Sequence, residues 1–309
     1  MFGNFYPEAW AQADTTATEK EESFWETGGE FSATFQQVSL SNWAGGGQST
    51  LALGGVVSFF WSYDDTVSRR WENSLEISYG IARVGKSDAR FTKTRDNIIY
   101  TSRYGRKLSR HLYLSALTDF RSQIAQGFNI IQLNDSISDD VLTSEFMAPG
   151  FLVTSLGLTY SPAERKLTDQ NIKPGKKEGN YFALTLSPFS GKFTFVLNDR
   201  LAESDQYNTD GKNVRAEAGS SLTIGFRRKV LENVVFTSNV NLFSNYEKMQ
   251  NIDVNLESFL VLRVSKYIVS NVSLQMIYDD DIDVRRDDGS RGPALQVQSA
   301  INVGFAYGF

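Results

Sequence analysis

From Leu295 to Phe309 the chain alternates, with Ser299 the one polar residue on the apolar face. Leu295, Val297, Ile301, Val303, Phe305, Tyr307 and Phe309 fall on one face, and Gln296, Gln298, Ala300, Asn302, Gly304, Ala306 and Gly308 on the other. A period of two is the signature of a strand, because successive side chains point to opposite faces. Strands of soluble proteins run about 5–6 residues, whereas a tilted strand crossing a bilayer needs about 9–11. This segment exceeds both lengths.

The same two-faced pattern recurs upstream. Trp71, Leu75, Ile77, Tyr79 and Ile81 oppose Glu72, Ser74, Glu76, Ser78 and Gly80; Leu51, Leu53, Val57, Phe59, Trp61 and Tyr63 oppose Ala52, Gly54, Ser58 and Ser62. Ile252, Val254, Leu256, Leu260, Leu262 and Val264 oppose Asp253, Asn255, Glu257 and Arg263, and Val272, Leu274, Met276 and Tyr278 oppose Ser273, Gln275 and Asp279. No run of about 18 uncharged apolar residues occurs, so the 41% hydrophobic content is not arranged as a transmembrane helix. An apolar outer face, a polar inner face and closure that leaves no unpaired backbone in hydrocarbon describe a transmembrane β-barrel. Aromatic residues near strand ends (Phe59, Phe60, Trp61 and Tyr63; Phe243 and Tyr246) suit interfacial girdles.

Loop lengths count the strands. Residues 106–111, 227–234 and 265–271 are tight and charged, like periplasmic turns; residues 42–50, 129–149, 198–213 and 279–293 are longer and read as extracellular. With both termini periplasmic, this parity gives an all-β, single antiparallel barrel of about twelve strands in the bacterial outer membrane. Fourteen is the alternative if a further strand lies near Ile130–Val141. The stretch 181–197 reads as one strand kinked at Pro188, which cannot donate to a ladder.

The barrel is expected over residues 27–309. Residues 1–26 read as a signal remnant and periplasmic tail: Ala9-Trp10-Ala11 before Gln12 resembles a cleavage site, with neither a basic nor an apolar region ahead of it. A truncated or misassigned start, with a mature chain beginning near Gln12, is one reading. A chance match in a disordered leader is the other.

Candidate sites are few. The chain has no cysteine, hence no thiolate ligand or cysteine nucleophile, and its net charge of -5 is scattered, which argues against nucleic acid. The terminal aromatic face of Phe305, Tyr307 and Phe309 suits an assembly signal recognised by barrel-insertion machinery. Asn42, Trp43, Gly45, Gly46 and Gly47 form a glycine-rich loop without the Lys-Ser/Thr ending of a phosphate loop, and are candidates for partner contact. Asp279, Asp281 and Asp283 offer hard oxygen ligands for calcium, but not at EF-hand spacing, and Arg285 and Arg286 interleave; a solvated loop is the competing reading. The single histidine, His111, sits on a short turn, at the wrong end for the Ser–His pair of a lipid-modifying barrel enzyme. Charges of both signs on the polar face, including Glu30, Glu76, Arg95, Asp119, Arg121, Glu257 and Arg263, suggest a cross-linked interior rather than an open pore.

The segments LSNWAGGGQST (40–50), LFSNY (242–246), IYDDDI (277–282) and VGFAYGF (303–309) resemble domain-of-unknown-function family 3078 of Bacteroidota outer-membrane proteins, over roughly Trp25 to Phe309. The resemblance implies an outer-membrane barrel and a Bacteroidota source, and carries no activity or catalytic residue. The functional expectation is a non-enzymatic accessory or scaffold subunit of a larger outer-membrane complex, contacting lipid, lipopolysaccharide and membrane protein partners and needing no cofactor. A small-solute channel and a lipid-modifying enzyme are the alternatives.

Overall fold

A computed structural model of the protein describes residues 24–39, 48–65, 67–85, 89–134, 137–162, 180–204, 207–282, 284–285 and 291–308. In chain order the strands are β1 (Trp25–Val38), β2 (Thr50–Asp64), β3 (Arg69–Val84), β4 (Thr92–Lys107), β5 (Leu112–Ser122), β6 (Gly127–Asn134), β7 (Ile137–Ser144), β8 (Gly150–Tyr160) and β9 (Tyr181–Phe195). A one-turn helix, α1 (Asp199–Glu203), precedes β10 (Val214–Leu231), β11 (Val234–Asn245), β12 (Ile252–Arg263), β13 (Ile268–Tyr278), β14 (Val284–Arg285), β15 (Arg291–Gly292) and β16 (Gln296–Gly308). Twelve of them close a barrel in the order β1-β16-β13-β12-β11-β10-β9-β8-β5-β4-β3-β2. Each ladder is antiparallel, and the seam closes by pairing Phe31 with Tyr307 and Ala33 with Phe305. The count of twelve is the one that loop parity gives.

The stretch that suggested fourteen strands is a separate two-stranded sheet, β6–β7. Each arm is only 8 residues long, short of the roughly 9–11 that a spanning strand requires. The 181–197 stretch is one strand, with its register displaced on both sides at Pro188: Leu156 pairs with Phe189 and Leu158 with Leu186, while Gly219 pairs with Ser190 and Ser221 with Ser187. One extra residue in β9 is therefore accommodated as a bulge. The neighbouring strand comes so close there that a Cβ on Gly157 would collide with the backbone of Leu186 and Ser187. The bulge also flips the strand's parity, so that Ala183, Thr185 and Ser187 are buried before it and Ser190, Lys192 and Thr194 after it.

Large apolar side chains crowd the outer wall. Phe31, Phe35, Leu53, Leu114, Leu156, Leu186, Val297, Ile301 and Val303 are all exposed. A contiguous apolar patch on a soluble monomer rarely exceeds roughly 300–600 Å², so a wall of this kind belongs against lipid. At the end bearing the tight turns 108–111, 232–233 and 264–267 lies an aromatic belt. Trp25 packs on Tyr63 (5.3 Å) and Trp71 (6.0 Å), and Tyr267 stacks on Phe305 (5.5 Å). Two aromatics expected in such a girdle are not part of one: Phe60 and Phe243 are buried. Alternation places them one residue from their outward neighbours, hence on the inner face.

The tight turns are held locally. Asp65 accepts hydrogen bonds from the backbone N–H groups of Arg69 (2.8 Å), Ser68 (2.7 Å) and Val67 (3.0 Å). Those donors hold its carboxyl well below the usual carboxylate range. The opposite end carries the longer connections, except the one between β8 and β9, which joins strand ends beside the tight turns.

Candidate functional site: the barrel lumen

Inward-facing residues from all twelve barrel strands enclose a cavity of about 1910 Å³. Its wall is uneven. On β1 to β5 it carries acids and bases: Glu30, Glu72, Glu76, Arg95, Arg103, Asp119 and Arg121. On β11, β12, β13 and β16 it carries mainly amides and hydroxyls, among them Thr237, Asn239, Asn241, Asn255, Ser273, Gln275, Gln298 and Asn302.

The charges pair, as the mixed signs suggest. Arg95 lies 3.5 Å from Glu76, and Arg263 lies 3.7 Å from Glu30. Arg121 on β5 holds Asp119 (2.7 Å) with its Nε and Glu257 (2.5 Å) with its Nη1. Glu257 belongs to β12, which is five strands from β5 one way around the barrel and seven the other. This ion pair therefore spans the lumen from one wall to the other. A second bridge lies towards the long loops, where the buried Lys192 ammonium sits 2.6 Å from both Asp253 and Asp279 and 5.9 Å from the ring centroid of Phe243. Buried ions persist only when paired and hydrogen-bonded in this way. These bridges divide the lumen but do not fill it.

The long connections roof that end. The base of the β6–β7 hairpin is tied to β4 through Asp96, which accepts from the backbone N–H groups of Ile124 (2.8 Å) and Ala125 (2.9 Å). Ala148, Val196, Leu201, Ala202 and Tyr207 form a small core between the hairpin and α1, with Leu142 against it. The Tyr207 hydroxyl donates to the Thr143 carbonyl (2.9 Å), and burial pushes its pKa up to about 12. Asp281 ties three loops together by pairing with Arg215 (2.6 Å) and Lys248 (3.4 Å) and accepting from Asn208 (3.1 Å). Burial opposes its ionisation, but Arg215, Lys248 and Lys192 outweigh that and hold the carboxyl below its ordinary value.

The candidate residues are distributed as follows. Phe305 and Tyr307 are exposed on the outer face of β16, at the seam with β1. Phe309, Asp283 and the loop residues Asn42, Trp43, Gly45, Gly46 and Gly47 lie outside the described residues. The structure does not bring Asp279 and Asp281 to one point: the first faces Lys192 and the second Arg215. Among the described residues the carboxylates that do converge are Asp253, Asp279 and Asp280, and the Lys192 ammonium already occupies the space between two of them. His111 packs edge-on to Tyr160 (6.2 Å) at the short-turn end, and its buried Nδ1 has no hydrogen-bond partner among the described residues. Lys192 is the functional group that sequence alternation misses. Strict alternation from Tyr181 aims it outward, and only the bulge at Pro188 turns it in.

Closed antiparallel topology, a lipid-compatible outer wall and a polar interior define an outer-membrane β-barrel. Residues 35–128 match the family described as "Protein of unknown function (DUF3078)". That span contains the LSNWAGGGQST motif but not the three later motifs that carry the resemblance. No curated protein matches the chain in sequence. Among solved structures it is similar to an outer-membrane channel from Pseudomonas putida F1, at 10% identity and a TM-score of 0.38, covering 92% of this chain and 94% of that one. It is also similar to the translocator domain of the autotransporter NalP from Neisseria meningitidis (10%, 0.33, 92% and 86%) and to the Pseudomonas putida toluene transporter TodX (9%, 0.31, 92% and 88%).

Proposed function

We propose that this barrel is a non-enzymatic, narrow passage for polar solutes, with both termini on the periplasmic side and the roofed end outside. The observation that carries this reading is the polar cavity to which every barrel strand contributes. A barrel serving only as a scaffold has no need of hydrated interior volume. The cross-lumen bridges restrict the path, so conductance is expected to be small. Purified protein in planar bilayers should give discrete, low-amplitude current steps; complete electrical silence over long recordings would refute the passage.

An accessory role in a larger outer-membrane complex is the second reading, favoured by the apolar residues Phe146, Leu197 and Met249 exposed beside the long loops. Lipid against the wall, and lipopolysaccharide in its outer leaflet, are the remaining partners in either reading.

A further inference from the structure

The two walls of the lumen differ in what their polar groups already touch. On the charged wall Glu30, Glu76, Arg95, Asp119 and Arg121 are held in ion pairs. Across the lumen, the ladder registers place Asn241 beside Asn255, Asn239 beside Glu257, Gln275 beside Gln298 and Ile277 beside Gln296. Asn239, Asn241, Asn255, Gln275, Gln296 and Gln298 therefore form a contiguous inward-facing field. Gln275 makes one long hydrogen bond, to Glu257 at 3.5 Å. The side-chain amides of the other five have no partner among the described residues, and the Asn255 Oδ1 is buried without one.

We propose that the wall built by β11, β12, β13 and β16 binds neutral saccharides, an inference that rests on the lumen being a solute passage. Each side-chain amide presents donors and an acceptor together, the complement of a hydroxyl that both gives and takes a proton. Phe259, the next inward residue on β12 after Glu257, lines the same cavity and adds an apolar ring beside the amides, where the C–H face of a pyranose packs. Charged ligands are disfavoured because the ions of this wall are already neutralised, Glu257 by Arg121, Asp253 by Lys192 and Arg263 by Glu30. A zwitterionic peptide would bring two charged termini with no free counter-ion on this wall among the described residues.

The test uses the full chain in planar bilayers, with maltotriose as probe and triglycine as a zwitterion of similar reach. Maltotriose should interrupt the potassium chloride current in a concentration-dependent way, and more strongly than triglycine. In the double variant Asn241→Leu, Gln298→Leu the block should weaken about tenfold, equivalent to about 1.4 kcal/mol, while heat-modifiable migration in gel electrophoresis shows that the barrel is intact. Should the double variant fail to insert, the single variants Asn239→Val and Gln296→Leu must each weaken the block. A conducting barrel that maltotriose does not interrupt, a block unchanged by these variants, or a stronger block by triglycine overturns the saccharide surface and leaves the passage standing. Electrical silence overturns the passage instead. Calorimetric titration of maltotriose into the detergent-solubilised barrel then decides the surface separately, with binding weakened in the variants supporting it and absence of binding overturning it.

Discussion

Two halves of one lumen solve the same problem differently. On β1 to β5 the lumen carries acids and bases, several of them tied to a counter-ion, as Glu76 is to Arg95 and Asp119 to Arg121. On β11, β12, β13 and β16 the inward polar groups are mainly neutral amides, and most of those side chains touch no other polar group among the described residues. The difference follows from solvation. An ion removed from bulk water is stable only beside its partner, so a charged wall must be cross-linked and is rigid. An amide facing a hydrated lumen satisfies itself with water at little cost and stays available to a ligand. Arg121 belongs to both regimes, since its guanidinium leaves the charged wall and ends on Glu257 among the amides.

The largest effect in this comparison is expected from Arg121→Ala. Removing the cation strands Asp119 and Glu257, a loss of roughly 3–5 kcal/mol for a fully buried pair. Water in the lumen reduces it towards about 3 kcal/mol. The unfolding midpoint in detergent should fall accordingly, and current through the barrel should rise because the bridge across the lumen is gone. Unchanged conductance in a variant that still folds would show that the Arg121–Glu257 bridge does not restrict the path.

A smaller effect is expected at the roof, from Asp281→Asn. The Asp281 carboxyl is held below its unfolded value of about 3.9. Its contribution is therefore fully present above that pH and is lost as pH falls through the depressed folded value. Limited proteolysis of the long loops should accelerate in the wild type only in strong acid. In Asp281→Asn it should already be faster at neutral pH, with less further change on acidification. Equal cleavage of the two proteins at neutral pH would remove Asp281 from the roof's anchoring.

Much of this fold is legible in the sequence because its governing rule is simple. Alternation identifies the strands, and loop lengths give their number; β16 follows the pattern with Ser299 as its one polar residue on the outer face, while β12 and β13 carry Phe259 and Ile277 inward. What alternation does not give is a change of phase. The bulge at Pro188 re-aims Lys192, and with it the Lys192–Asp253–Asp279 bridge, through a residue that opposes nothing on the neighbouring strands. The same rule over-reads aromatics: Phe60 and Phe243 belong to the inner face by parity, although their sequence neighbourhood resembles a girdle. The pairing of lumen charges is foreseeable from their mixed signs. Which partners meet is not, because Arg121 and Glu257 lie 136 residues apart and are joined only by closure of the barrel.

The central claim is that one face of each strand meets lipid and the other a hydrated lumen, and adjacent positions on β16 test it most directly. The native chain contains no cysteine, so single replacements report without background. Ile301 is 77% exposed on the outer wall, while Asn302 lines the cavity and donates to Asn271 at 2.9 Å. In protein reconstituted into lipid vesicles, a small water-soluble thiol reagent should modify Asn302→Cys readily and leave Ile301→Cys unreacted until detergent is added. Modification of Ile301→Cys in intact vesicles with protection of Asn302→Cys would contradict it.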